Sequence, residues 1–163
     1  MVAIKKILVA TDFSEPSGVA LAYGRDLART NHAQLQLLHV VEDVLLRYSP
    51  EVGLVGGDFQ KDLEKIATRD VNALLTDEDR KDLNAVAIIE RGINPADVVI
   101  NYAKANAIDL IITGTHGRSA VQHFLMGSVA ERVVRTAPCP VLTVHAHERD
   151  FIIPDALTLA ASV

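Results

Sequence analysis

Five short apolar runs alternate with longer segments of helical periodicity, and this alternation constrains the fold of the 163-residue chain more than any other feature. The runs are rich in Ile, Val and Leu, which is typical of strands buried on both faces of a sheet. They cover residues 4–10, 34–41, 85–90, 109–113 and 141–144. Because strands that alternate with helices form right-handed β-α-β units, the sequence predicts a single doubly wound α/β domain with a parallel sheet and helices on both faces.

The segments between the runs carry the signals of helices. Ser14 with Pro16, and Asn94 with Pro95, match an N-cap residue followed by a proline in the first turn. Residues 128–136 predict the last helix. A long amphipathic helix is predicted from six apolar residues at helical spacing, which are Leu63, Ile66, Ala67, Val71, Leu74 and Leu75.

Two segments predict irregular structure instead. Residues 42–58 contain Pro50 and three glycines, so they predict a long loop. Residues 77–82 are entirely charged and predict a solvated loop or the end of a helix.

Composition and charge exclude several classes of partner. The chain has 16 Lys and Arg against 21 Asp and Glu, a net charge of −5, whereas attraction to DNA, RNA or an anionic lipid surface needs clustered positive charge. Aromatic residues make up 4% of the chain, with no Trp, which argues against a base-stacking platform. A single cysteine excludes an intramolecular disulfide. Since no apolar run approaches about 20 residues and no signal peptide is evident, we expect a cytoplasmic protein without a membrane span.

Polar and glycine residues follow two of the predicted strands, at the edge where ligands bind in doubly wound sheets. Ala10-Thr11-Asp12 ends the first run, and Gly114-Thr115-His116-Gly117-Arg118 follows the fourth. The glycines would let the backbone approach a ligand closely. Gly127-Ser128 then opens the last predicted helix, whose free amides and positive dipole end favour an anion. Taken singly, these residues are explained as strand ends and a helix cap, but together they predict a phosphate-binding loop.

The glycine spacing G-x2-G-x9-G-S resembles the ATP-binding motif of the universal stress protein family. Its residues in this chain are Gly114, Gly117, Gly127 and Ser128. Three other segments resemble parts of that family in the same order: residues 5–12 its first strand, 127–133 its last helix and 137–142 the approach to its final strand. The likeness extends over residues 4–144.

The resemblance implies a Rossmann-like five-stranded parallel sheet of order 3-2-1-4-5 that binds ATP, ADP or AMP. It implies that Asp12 bonds the ribose hydroxyls or the adenine side, and that the backbone of Val40 holds the adenine. Phosphates would lie along Thr115, Gly117 and Arg118 and be cradled by residues 127–129, with Mg²⁺ bridging phosphate oxygens rather than held in a protein cage. The candidate nucleotide-binding residues are Ala10, Thr11, Asp12, Val40, Gly114, Thr115, His116, Gly117, Arg118, Gly127, Ser128 and Val129.

The function implied by the resemblance is that of a dimeric, nucleotide-dependent switch in stress response or signalling. Two alternatives belong to other classes. A slow ATPase or phosphotransferase is disfavoured because no acidic base is evident near the glycine segment and no Walker-type lysine is present. A nucleotide-independent adaptor is disfavoured by the intact glycine motif. Asp12 as the phosphoacceptor of a receiver domain would need further acidic residues before it, and Ala10-Thr11 stand there instead.

The remaining histidines and the cysteine carry weaker signals. His116 and His123 flank the glycine segment, and only His116 is kept as a site candidate. His145 and His147 alternate as metal ligands on a strand can, but without a third ligand they are expected at the surface. Cys139 is expected to be a small buried apolar residue.

The last apolar run is predicted to lie at an edge of the sheet, where an exposed strand invites pairing. In the resembled family this strand pairs with its symmetry mate. We therefore expect a two-fold homodimer through Val141–Val144, or a tetramer of such dimers. Residues 1–145 are predicted to form the nucleotide-binding domain, and residues 146–163 a C-terminal tail.

Overall fold

The described part of the chain builds a five-stranded sheet in which every neighbouring pair of strands is parallel. The computed structural model describes residues 3–43, 53–115 and 127–145, with backbone alone for residues 53–57. The strands are β1 (Lys6–Thr11), β2 (Gln34–Glu42), β3 (Val86–Gly92), β4 (Leu110–Gly114) and β5 (Val141–Val144). Their spatial order is β3-β2-β1-β4-β5, which confirms the predicted doubly wound arrangement.

Helices cover both faces of this sheet. They are α1 (Glu15–Asn31), α2 (Gly53–Leu74), α3 (Asp77–Asp82), α4 (Pro95–Ala105) and α5 (Ser128–Thr136). One core cluster packs α1 and α2 on Val9 and Leu37, and a second packs α4 and α5 on Leu8 and Leu38. Odd-numbered residues of β1 and β2 belong to the first cluster and even-numbered residues to the second, because successive side chains of a strand point to opposite faces. Among the helices of the described ranges, none has the length and apolar character needed to cross a membrane.

The helix starts predicted from the sequence are found at both positions. Pro16 lies in the first turn of α1. The Asn94 side chain caps α4 by accepting a hydrogen bond from the Ala96 amide at 3.1 Å. Ser14 occupies the N-cap position of α1 but makes no capping bond; its hydroxyl is turned toward Asp12, to which it donates.

Two boundaries predicted from composition are displaced in the structure. The loop predicted over residues 42–58 is wrong at its C-terminal end, where α2 begins at Gly53; residues 44–52 lie outside the described residues. A glycine inside a helix costs about 1 kcal/mol relative to alanine, but tertiary packing supplies most helical stability, and α2 buries one face on the sheet. β3 extends two residues beyond its predicted end because its pairing with β2 continues to the Glu42–Gly92 pair.

The charged segment 77–82 forms helix α3, and one of its carboxylates is buried rather than solvated. Asp79 is 1% exposed. Its oxygens accept from Nε of Arg25 in α1 at 2.9 and 3.0 Å and from the Thr76 amide at 3.0 Å. Arg25 also donates from Nη2 to the Leu74 carbonyl, the last of α2, at 2.6 Å. The ion pair therefore joins α1, the end of α2 and the start of α3.

The surroundings of Asp79 keep its carboxylate ionised. Burial by itself raises the pKa of this carboxyl, but the hydrogen bond and charge of Arg25, with the bonds from Thr76, outweigh that effect. The pKa of Asp79 consequently lies below its ordinary value. Removing Arg25 would leave the buried carboxylate of Asp79 with only Arg29, 3.9 Å away, as a cationic partner, and removing Asp79 would leave a largely buried guanidinium without its carboxylate.

We expect Asp79→Ala to lower the free energy of unfolding by about 3–5 kcal/mol, the usual effect of breaking a buried ion pair. Urea denaturation at pH 7 measures this loss. Asp77→Ala is the matched control, since Asp77 is exposed in the same helix and interacts mainly with the helix dipole, an effect of about 0.3–1 kcal/mol. Equal losses in the two variants would contradict the role given to the ion pair.

The contribution of Asp79 to stability is expected to disappear in acid. A carboxyl whose pKa is lowered by folding stabilises the protein above its unfolded-state pKa of about 3.9 and loses that effect as the pH falls through the lower folded-state value. The difference between wild type and Asp79→Ala should therefore be constant from pH 5 to 7 and shrink below pH 4. Urea denaturation repeated across this range checks the sign.

Candidate functional site

The strand order brings the two polar segments predicted from the sequence to one edge of the sheet. β1 and β4 are neighbours, with Ala10 paired to Thr113, so Thr11 and Gly114 end side by side. The strand order reverses between these two strands, which is where ligands bind in doubly wound sheets. Val40 lies in β2, one residue beyond the level at which β1 ends.

The hydroxyl of Thr11 is bonded to the start of α1. Ser17 Oγ donates to the Ser14 carbonyl at 2.8 Å, so its only proton is used. Thr11 Oγ1 therefore donates to Ser17 Oγ at 3.1 Å, and it accepts from the Phe13 amide at 3.1 Å. With 7% of its surface exposed, Thr11 fixes the first turn of α1 to the end of β1.

Asp12 presents a carboxylate whose direction is set by the next residues. Its Oδ1 accepts from the Ser14 amide at 3.1 Å and from the Ser14 hydroxyl, the arrangement of an Asx turn. Asp12 is half-buried at the carboxyl end of β1. This placement suits a hydrogen-bond acceptor for a ligand bound at that edge.

Phe13 and His39 pack together beside this turn. Phe13 has a φ of 64°, and the centroids of the two rings are 4.5 Å apart. His39 Nδ1 lies 2.8 Å from the Thr11 carbonyl; since a carbonyl oxygen only accepts, Nδ1 carries the proton. Motif and spacing do not mark His39 as a site residue. The signal for it in the sequence is a polar ring that alternates along β2 with Leu35 and Leu37, on the face that packs against the core.

The close neighbour of Gly114 is the first turn of α1. A Cβ at this position would lie 2.7 Å from the Pro16 Cβ and 2.9 Å from the Pro16 carbonyl carbon. None of the glycines in the described residues has a positive φ, so Gly114 is required for close packing and not for a left-handed turn.

Thr115 joins the ends of β4, β5 and α5. Its amide donates to the Val144 carbonyl at 2.8 Å, and its carbonyl accepts from the Gly127 amide at 2.6 Å. Its hydroxyl donates to the Val144 carbonyl at 3.2 Å, so His145 Nδ1, 2.8 Å away, is the donor to that hydroxyl. His145 is exposed, as expected, but its bond to the 2%-exposed Thr115 was not predicted.

The start of α5 offers backbone donors at the same edge. Gly127 is the N-cap residue with an extended backbone, and no side chain of the described residues caps the helix. Because the Gly127 amide is bonded to Thr115, the donors for an anion are the amides of Ser128 and Val129. Both of these residues are exposed.

Several predicted site residues lie outside the described residues. They are His116, Gly117 and Arg118, together with His123 and His147 outside the candidate set. Their assigned roles stay predictions.

In the part of the chain that the structure describes, this edge holds no group of metal ligands, and the single thiol lies before β5, away from this edge. In the ranges 3–43, 53–115 and 127–145, no group of three His, Cys, Asp or Glu side chains is arranged to hold a metal ion. Cys139 is half-buried against the second core cluster, and burial raises the pKa of its thiol.

The fold and the site define a doubly wound α/β protein with a polar edge at the reversal of strand order. The model of the universal stress protein family matches residues 3–145, and the chain belongs to this family. The universal stress protein YxiE of Bacillus subtilis is 30% identical over 145 residues, covering 85% of this chain and 97% of YxiE.

Solved structures show the same fold. Universal stress protein UspA from Lactobacillus plantarum superposes with a TM-score of 0.78 at 26% identity, covering 88% of this chain and 99% of UspA. A universal stress protein crystallised in complex with cAMP has a TM-score of 0.55 at 25% identity, covering 88% of this chain and 98% of its own.

We expect Gly114→Ala to lower the free energy of unfolding by about 1–3 kcal/mol, because the new methyl group must displace the first turn of α1. Gly18→Ala is the matched control in that helix: nothing lies within 4 Å of its added Cβ, and the change should stabilise by about 0.5–1 kcal/mol. Urea denaturation of both variants measures whether each change lowers or raises the free energy of unfolding. A neutral Gly114→Ala would contradict the tight packing.

Proposed function

We propose that this chain binds an adenine nucleotide at the carboxyl edge of β1 and β4 and acts as a regulatory switch in stress response. The observation that carries the proposal is the placement of the α5 N-terminus: Gly127 is bonded to Thr115, directly after β4, and the neighbouring strand β1 is directly followed by Asp12. The amides that can donate to an anion and the Asp12 carboxylate thus lie at the same edge of the sheet. Membership of the family and the cAMP complex of a 25%-identical protein support a nucleotide as the ligand.

Each candidate binding residue receives a role that its chemistry suits. The amides of Ser128 and Val129 bind phosphate oxygens with the aid of the helix dipole. Asp12 accepts hydrogen bonds from ribose hydroxyls, and the backbone of Val40 meets the adenine. Arg118 adds charge-assisted bonds to phosphate within the G-x2-G-x9-G-S motif.

We propose that Mg²⁺ binds to the phosphates of the nucleotide and not to protein side chains. Mg²⁺ prefers several waters and phosphate oxygens to an all-protein cage. The groups at this edge are backbone amides that donate and one carboxylate that accepts, a set suited to phosphate and ribose. The ion would neutralise phosphate charge and leave Asp12 to the sugar.

The nucleotide-binding domain is proposed to comprise residues 1–145, and residues 146–163 to form a C-terminal extension. The match of the family model to residues 3–145 supports this division.

A homodimer through β5 completes the proposal. β5 is an edge strand. The Pro140 carbonyl accepts from the Ile111 amide at 3.0 Å, and Val144 accepts from the Thr115 amide, so the even-numbered residues of β5 bond to β4. Val141 and Thr143 direct their backbone groups away from the sheet, where a second copy can pair with them.

Calorimetric titration of ATP, ADP, AMP and cAMP tests the binding site. We expect Asp12→Asn to weaken binding by about 10- to 100-fold, since hydrogen bonds to a charged group contribute about 1.5–3 kcal/mol. Gly127→Leu should also weaken binding because a branched side chain crowds the phosphates at the helix start.

Asp26→Asn is the control for this titration, because Asp26 is 83% exposed on α1 and pairs with Arg29 at the surface. It should bind as the wild type does. Absence of nucleotide binding by the wild type would overturn the proposal. Sustained phosphate release from ATP well above background would favour the ATPase alternative instead.

Thr143→Pro is expected to convert the dimer to a monomer, because proline removes an amide that faces away from β4 and leaves the β4–β5 bonds in place. Light scattering at micromolar concentration measures the mass. Thr143→Val keeps the amide and should stay dimeric. A monomeric wild type would refute pairing through β5.

A further inference from the structure

The turn between β1 and α1 contains the least expected backbone conformation in the described residues. Four non-glycine residues of the described ranges have a positive φ: Phe13, His32, Asn84 and Ala107. The last three lie one or two residues beyond the ends of helices, where a left-handed residue is common. Phe13 follows a strand, and a bulky side chain disfavours this conformation. Its surroundings must therefore hold it in place.

His39 supplies contacts on both sides of this strained residue. Its Nδ1 donates to the Thr11 carbonyl at 2.8 Å, which fixes the chain before the turn. Its ring lies against the Phe13 ring, tilted by 46°, and Phe13 also packs on the first core cluster. The register explains the reach of the imidazole, since His39 and Thr11 are Cα partners in the β1–β2 pair.

Asp12 lies between the two points that His39 contacts. Thr11 precedes Asp12 and is bonded to the imidazole, and Phe13 follows it and packs on the same ring. The Thr11 hydroxyl also accepts from the Phe13 amide, which closes the turn around Asp12. Any relaxation of Phe13 to a negative φ would rotate the peptide that follows Asp12 and disturb the bonds from Ser14 to the carboxylate.

We propose that His39 is a positioning residue of the nucleotide site: its Nδ1–H bond to Thr11 and its ring contact with Phe13 hold the left-handed turn that directs the Asp12 carboxylate toward the ligand. The proposal rests on nucleotide binding at this edge. His39 acts through Asp12, so its effect on affinity depends on the Asp12 carboxylate. A histidine that only filled the core would change stability without this dependence.

The test compares two replacements of His39 by calorimetric titration with AMP. His39→Leu keeps an apolar side chain of similar size against Phe13 but removes the donor, and it should weaken AMP binding by about 3- to 10-fold, the effect of one hydrogen bond. His39→Asn keeps an N–H donor near the Nδ1 position and should restore most of the affinity. Circular dichroism and thermal unfolding check that each variant folds, and His39→Ala takes the place of the leucine variant if that one does not.

A double-mutant cycle with Asp12→Asn separates positioning from general destabilisation. In the Asp12→Asn background, His39→Leu should weaken AMP binding no further. Gln34→Ala is the control on the same strand: it removes bonds to Gln36 and Asn84 at the amino end of β2 and should leave AMP affinity unchanged in both backgrounds.

The outcomes distinguish this inference from the proposed function. If wild type does not bind AMP or any other adenine nucleotide, the proposed function fails and the inference fails with it. If wild type binds, but His39→Leu binds equally well or loses the same factor in the Asp12→Asn background, the positioning role is refuted and nucleotide binding stands.

Discussion

The first turn of α1 lies against the ends of β1 and β4 with no room for a side chain between them, and the geometry of the polar edge depends on this contact. Gly114 provides the space for Pro16, whose ring fixes φ and makes the turn rigid. Thr11 and Ser17 add a buried hydrogen bond across the same junction. Two central strands and one helix are thus held as a unit, and the short turn that carries Asp12 has fixed ends.

The fold could be read from the sequence wherever the signal was local. Buried strands give continuous apolar runs because helices cover both faces of the sheet. The N-cap residue Asn94 likewise predicts the start of α4 from neighbouring residues alone. The failures were long-range in origin. The buried carboxylate of Asp79 is compensated by Arg25, 54 residues earlier, and a stretch of charged residues does not reveal such a partner. The start of α2 at Gly53 likewise depends on the packing of this helix on the sheet, which the glycine-rich composition of the segment does not predict.

At the candidate site, the sequence indicated which residues lie at the edge but not what their side chains bond to. Thr11 and Thr115 were expected to meet a ligand, and their hydroxyls are bonded to Ser17 and His145. These partners depend on how the ends of strands and helices meet, which periodicity does not determine. The link between Thr115 and His145 spans 30 positions of the chain and exists only because β4 and β5 are paired.

The bond of 2.6 Å between the Thr115 carbonyl and the Gly127 amide has a consequence for how this fold can change. This bond fixes the N-terminus of α5 to the residue that follows β4. The amide and hydroxyl of the same residue, Thr115, hold the Val144 carbonyl at the end of β5. The helix start proposed to bind phosphate and the strand proposed to pair between two copies are therefore joined through one residue, and a displacement of either would strain the bonds of Thr115.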